Sequence, residues 1–117
     1  MSPESFSTRS FRFATNILQF YRVLNQPAAD VPKAISYQML RAGMAIGANI
    51  EEARSAQSRR DLAAKYTVAL REARECHYWL RLVAVDRPRF ADDAAILANE
   101  CNELVALLTA TVKKLRG

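Results

Sequence analysis

Glycine occurs three times and proline four times in 117 residues, too few to supply the tight turns of a hairpin-rich sheet protein. Two cysteines, Cys76 and Cys101, exclude the disulfide framework of a small secreted domain. The one histidine, His77, adjoins Cys76, but neighbours on a helix point about 100° apart, so the two side chains cannot form a nucleophile and base pair within one subunit. Cys76, His77 and Cys101 do not supply four converging ligands at a usual spacing, so no metal site is expected. No glycine-rich loop offers phosphate a cradle. These shortages argue against an enzyme and against a resident cofactor.

No uninterrupted apolar run approaches the roughly 20 residues that cross a bilayer, so no membrane association is expected. Residues 1–12 are rich in Ser and Arg but lack the apolar centre of a secretory signal. Their composition also fits an organelle transit peptide, yet they lead directly into the apolar series Phe13, Ile17, Phe20 and Leu24. The expected location is the cytoplasm.

Half of the residues are hydrophobic, enough for one core of moderate size and too few residues for a second domain. Small or apolar residues recur three or four apart at Ile35, Met39, Ala42, Ile46, Ile50 and Ala53, then again at Leu62, Tyr66, Ala69, Ala73, Cys76, Leu80 and Val83. That is the seam of an antiparallel helical hairpin. Helix one is expected over residues 7–25. Asp30 is read as the N-cap of helix two, with Pro32 in its first turn. Ser58, followed by Asp61, opens helix three, which runs to about Ala84. The break at residues 86–89 precedes a fourth helix from about Ala91, carrying Leu97, Cys101, Leu104, Leu108, Val112 and Leu115. The expected fold is all-α, an up-and-down antiparallel four-helix bundle in a single domain over residues 1–117. Its core holds Ile46, Ile50, Leu62, Ala69, Ala73, Leu80, Leu104 and Leu108.

The phrase Arg41, Ala42, Ile46, Ala48, Asn49, Ile50 and Glu52, the helix start at Ser58, Asp61 and Leu62, and the segments 69–75 and 78–82 resemble the small bacterial four-helix bundle family associated with 23S rRNA intervening sequences, the S23 type. The resemblance spans nearly the whole chain. It implies a ring-shaped homo-oligomer, a pentamer. Relatives of the fold serve as accessory subunits to the reverse transcriptase of diversity-generating retroelements, which implies RNA or DNA and a polymerase of that kind as partners. Ala53, Gly47, Ala45 and Ala56 depart from the family pattern. Without glycine at 53 to close a left-handed helix end, helix two is expected to run a few residues further.

Helix three is apolar on more than one stripe, because Val68, Tyr78, Trp79 and Leu82 lie off the seam. Either a second subunit covers Tyr78 and Trp79, in keeping with aromatic enrichment at interfaces, or Trp79 flanks and shields the core. Asn49 and Glu52, three apart, share a face and read as a polar lock on helix register or on subunit contact, with ligand binding as the alternative. Glu72 and Glu75 also share a face, and Arg41 in helix two is placed to pair with them across the hairpin.

Lys and Arg total 17 against 12 Asp and Glu, a net charge of +5. Arg54, Arg59 and Arg60, supported by Lys65 and Arg41, cluster around the start of helix three. Repeated around a ring, they would form a collar for phosphates. The expected function is non-enzymatic binding of RNA or DNA, as an accessory factor; the alternative is a structural or protein-interaction scaffold.

Overall fold

The structure, a computed structural model, describes residues 5–117. Residues 1–4, part of the segment weighed above as a leader, lie outside it. Four α-helices span most of the described residues: α1, Phe6–Leu24; α2, Lys33–Ala53; α3, Arg59–Asp86; and α4, Ala91–Arg116. No strand occurs among the described residues.

Two of the helix starts are set by local side-chain chemistry. Ser5 accepts the N–H of Thr8 at 3.1 Å and so caps α1. Ser58 accepts the N–H of Asp61 at 3.0 Å, while Asp61 reaches back to accept the N–H of Gln57 at 3.0 Å. Each bond satisfies a backbone donor that a helix start leaves free. The aspartate therefore contributes a bond as well as a charge. Its carboxyl is held below the usual range by the bond from Lys65, then by that from Gln57.

The start of α2 differs from expectation. Pro32 itself occupies the N-cap position, with no side-chain cap. Asp30 instead lies in the left-handed region at φ 54°, ending a short 3₁₀ turn over Pro27–Ala29. Aspartate tolerates that conformation better than most residues, and its carboxylate pairs with Arg87 at 2.7 Å. The end of α2 also differs. The helix stops at Ala53 without a left-handed residue, tightening into bonds from the N–H groups of Arg54, Ser55 and Ala56 to carbonyls three residues back. Such 3₁₀ bonds satisfy the last carbonyls, which is why the missing glycine does not prolong the helix. Helix three, in turn, extends to Asp86.

The core joins Phe13, Ile17, Phe20 and Leu24 of α1 to Met39, Ile46 and Ile50 of α2, Ala69, Ala73 and Leu80 of α3, and Leu97, Leu104 and Leu108 of α4. Leu62, expected inside, is only half-buried, and Ala63 is buried in its place. At the first turn of α3 the small residue faces inward. Gly43 lets α1 and α2 approach closely: a Cβ there would lie 2.8 Å from Ile17 Cγ2.

Packing around the bundle is uneven. The hairpins α2/α3 and α3/α4 are in close contact along their length, α1 rests chiefly on α2, and α1 meets α4 sparsely. An open groove of about 990 Å³ remains there, walled by Phe6, Arg9 and Arg12 from α1 and by Ile96, Glu100, Glu103 and Leu107 from α4. Helix α4 with its preceding turn is long and apolar enough, by length and composition alone, to cross a membrane. It lies here as one wall of the bundle, with Leu97, Cys101, Leu104 and Leu108 buried and with Asp92, Asp93, Glu100 and Glu103 along its length.

Candidate functional site

Antiparallel order brings the start of α1, the α2–α3 turn and the end of α4 to one end of the bundle. That end gathers Arg9, Arg12, Arg54, Arg59, Arg60 and Lys65 together with Lys113, Lys114 and Arg116, against Glu51, Glu52 and Asp61. At the opposite end Arg22, Lys33, Arg87 and Arg89 are set against Asp30, Asp86, Asp92 and Asp93, with Arg87 holding Asp30 at 2.7 Å and lying 3.6 Å from Asp86. The molecule's positive excess therefore sits at one end.

The expected collar residues are not equivalent. Arg59 donates to the carbonyls of Leu115 at 2.9 Å and Lys114 at 3.0 Å, so it caps the C-terminus of α4. A cation there meets both free carbonyls and the negative end of the helix dipole. Lys65 is bound to Asp61 at 2.8 Å. Arg54 lies 3.5 Å from Glu51 but stays 71% exposed. Arg60 is exposed and forms no ion pair among the described residues. Lys113 and Lys114 share that condition, and Arg116 adds a bond to the hydroxyl of Thr67 at 3.2 Å.

Arg41 does not belong to the collar. It lies in mid-bundle, donating to Glu75 at 2.7 Å and Glu72 at 3.1 Å, with a further bond to Gln38 at 3.2 Å. Burial pushes the carboxyl of Glu75 up, but the indole N–H of Trp79 and the guanidinium of Arg41 outweigh it and hold the group below its ordinary range. The bond to Glu75 likewise raises Arg41. This ion cluster ties α2 to α3 and leaves Arg41 little capacity for phosphate.

The polar lock is not formed between helices. Asn49 donates to the carbonyl of Ala45 in its own helix at 2.8 Å, and Glu52 is exposed. Of the aromatic pair, Trp79 packs against the core and Tyr78 is 50% exposed, its ring edge-on to the indole at 5.1 Å.

The sequence profile described as "23S rRNA-intervening sequence protein" matches residues 6–110. The chain belongs to that family. A solved structure of a protein with unknown function from the S23 ribosomal protein family, from Bacteroides thetaiotaomicron VPI-5482, superposes with a TM-score of 0.85 and 35% identity. The match covers 93% of this chain and 99% of that one. No curated protein matches the sequence. Within the family's phrase, Ala42, Ile46 and Ile50 are core residues and Arg41 holds Glu72 and Glu75. In this member the phrase therefore builds the α2/α3 contact.

Two sulfurs lie inside this family member. Cys76 and Cys101 are buried, their thiols directed at the carbonyls of Met39 at 3.8 Å and Ala73 at 3.0 Å. Hydrogen bonding with Cys101, then burial, pushes the Cys76 thiol well up, which disfavours the thiolate that reactivity requires. His77 is half-buried, and burial followed by the nearby charge of Arg81 lowers its pKa. No group of three His, Cys, Asp or Glu among the described residues is placed to hold a metal. The residues that sequence reasoning missed are Lys113, Lys114 and Arg116. Their signal was present as the basic last turn of α4, but only the fold places that turn beside Arg60.

Proposed function

We propose that this chain is a non-enzymatic, homo-oligomeric nucleic-acid-binding protein that grips phosphates with the basic end of its bundle. The observation that carries this reading is the gathering of cations at one end: Arg60, Lys113 and Lys114 sit close together there without carboxylate partners, while Arg41 is engaged by glutamates in mid-bundle. The phosphate-facing set is thus Arg60, Lys113 and Lys114, with Arg54 in support. Arg59 serves by fixing the end of α4 beside them. One subunit offers few contacts. In a ring, the pentamer that the family resemblance implies, the same end recurs and weak contacts multiply. The set is a group of exposed cations suited to phosphate, so binding is weak and largely independent of sequence. An accessory role to a polymerase such as a reverse transcriptase is compatible with such a grip.

Fluorescence anisotropy with labelled single-stranded RNA and DNA tests it. Binding is expected to weaken steeply between about 50 and 200 mM salt, each phosphate contact contributing roughly 0.7 to 0.9 to the slope of log affinity against log salt. The triple variant R60A/K113A/K114A should flatten the slope by roughly 2 for each engaged subunit, equally for all sequences. No binding by the unaltered protein at about 50 mM salt, where such contacts are strongest, would favour the scaffold reading. A triple variant that binds as tightly as the parent would move the interface elsewhere.

A further inference from the structure

Two exposed stripes of this chain carry opposite charge. On the outer face of α3, away from buried Ala73, Cys76 and Leu80, lie Arg71, Arg74, Tyr78 and Arg81, all exposed. Among the described residues Arg71 and Arg74 form no ion pair, and Arg81 stands over the ring of Tyr78 at 5.8 Å. On α4, along and beside the open α1–α4 groove, lie Asp93, Ile96, Glu100 and Glu103. Ile96 is 66% exposed, a large apolar side chain uncovered by its own subunit. The carboxylate of Glu103 meets Arg9 at only 3.8 Å and remains 66% exposed. A basic stripe centred on a tyrosine and an acidic stripe centred on an isoleucine are complementary in sign and in apolar content.

They are also complementary in spacing. Within a subunit α3 and α4 run antiparallel, and Cys101 Sγ meets the carbonyl of Ala73 at 3.0 Å. Arg59 likewise meets that of Leu115 at 2.9 Å. In both contacts the two positions are equally far in sequence from Arg87, at the turn between the helices. Positions equidistant from that turn therefore share a height along the bundle. By this rule Arg71 stands level with Glu103, Arg74 with Glu100, Tyr78 with Ile96, and Arg81 with Asp93. Rotation about an axis parallel to the bundle leaves heights unchanged, so in a closed ring the same levels hold between one copy and the next.

We infer that the partner of the α1–α4 groove is a second copy of this chain, whose α3 stripe lies antiparallel on α4, arginines against carboxylates and Tyr78 against Ile96. This rests on the oligomeric reading above and specifies its interface. The contact is heterologous, one face meeting a different face, and such contacts continue past the dimer, into a ring where the rotation between copies closes. Like-charged faces repel, so α3 does not meet α3, nor α4 meet α4. Arg9 of the α1 wall, 3.8 Å from Glu103, shares that carboxylate with the incoming stripe.

Light scattering on charge-reversed proteins provides the test. R71E/R74E and E100R/E103R alter only exposed or groove-facing side chains, and each variant should be a folded monomer at micromolar concentration. Mixed in equal amounts, they should co-assemble beyond the heterodimer into alternating oligomers, since the two intact faces pair and the two reversed faces, acidic on α3 and basic on α4, are again complementary. All four reversals in one chain should restore the parent assembly. As a second measurement needing no charge reversal, Y78C/I96C should give a covalent ladder of subunits on mild oxidation, whereas neither single variant passes dimer. Variants that assemble like an oligomeric parent would overturn the interface and leave the oligomer standing. So would a mixture that stays monomeric, or a missing ladder. A monomeric parent would overturn both.

Discussion

Replacing Phe13 with alanine is expected to destabilise the fold by about 3–5 kcal/mol, the usual range for removing a fully buried phenylalanine. Phe13 is completely buried, and it belongs to the helix with least support, since α1 rests mainly on α2 and only sparsely on α4. The close approach at Gly43 leaves no slack for α1 to settle further into the space, because Ile17 already fills the position a Cβ would take. The cavity should therefore persist. Urea denaturation followed by circular dichroism reads the loss as a lower midpoint. Hydrogen exchange should show the amides of α1 opening before those of α3, because local stability follows contact density. A loss under about 1 kcal/mol, a typical surface value, would mean that α1 is not held by this ring.

Replacing Arg41 with methionine is expected to cost about 1–2 kcal/mol at neutral pH. That lies between the small value of exposed pairs and the larger cost of stranding a buried charge, because Arg41 is partly exposed while Glu72 is largely covered. The pH dependence is more diagnostic. In the parent the folded-state pKa of Glu75 lies below its ordinary 4.5. The stabilisation it carries is therefore complete above that value and lost as pH falls through the lowered one. Without the guanidinium, Glu75 loses the bond and the charge that Arg41 supplies to lower it, while the burial that raises it remains, so its carboxyl shifts upward. Relative to the parent, the variant then gains stability as pH falls toward 4.5, because His77, lowered by burial in both, contributes the same loss to each. Urea midpoints from pH 3 to 7 should show the two curves converging on the acid side. Parallel curves would show that the cluster carries no net linkage.

Arg41 also shows how much the sequence discloses. Its pairing with Glu72 and Glu75 was legible because the hairpin period put all three on facing sides. The start of α3 was legible from Ser58 and Asp61, and the start of α4 from the break before Ala91. Asp30 misled because a residue type that favours helix caps also tolerates left-handed backbone. Which role it takes depends on Arg87, 57 positions away. Leu62 misled because the seam was extrapolated into the first turn of α3, where Ala63 turns inward instead. The collar was half legible. Clustering of arginines could be read, but not that Arg59 would be spent on carbonyls 55 and 56 residues further along. Nor could the lysines of α4 be placed beside Arg60 without the antiparallel fold. The height rule relating α3 to α4 needs both helices docked; once they are, residue numbers suffice.

The two sulfurs described earlier have a use unconnected with binding. Cys76 and Cys101 are the chain's only cysteines, and neither exposes any surface in the closed subunit. A bulky aromatic disulfide reagent must therefore wait until α3 and α4 part. When the helices reclose faster than the reagent reacts, colour develops in proportion to the fraction of open molecules; when they reclose more slowly, it develops at the opening rate itself. The protein thus keeps its own clock, one that runs without a fluorescent label, in mixtures of subunits, and on variants whose circular dichroism looks the same.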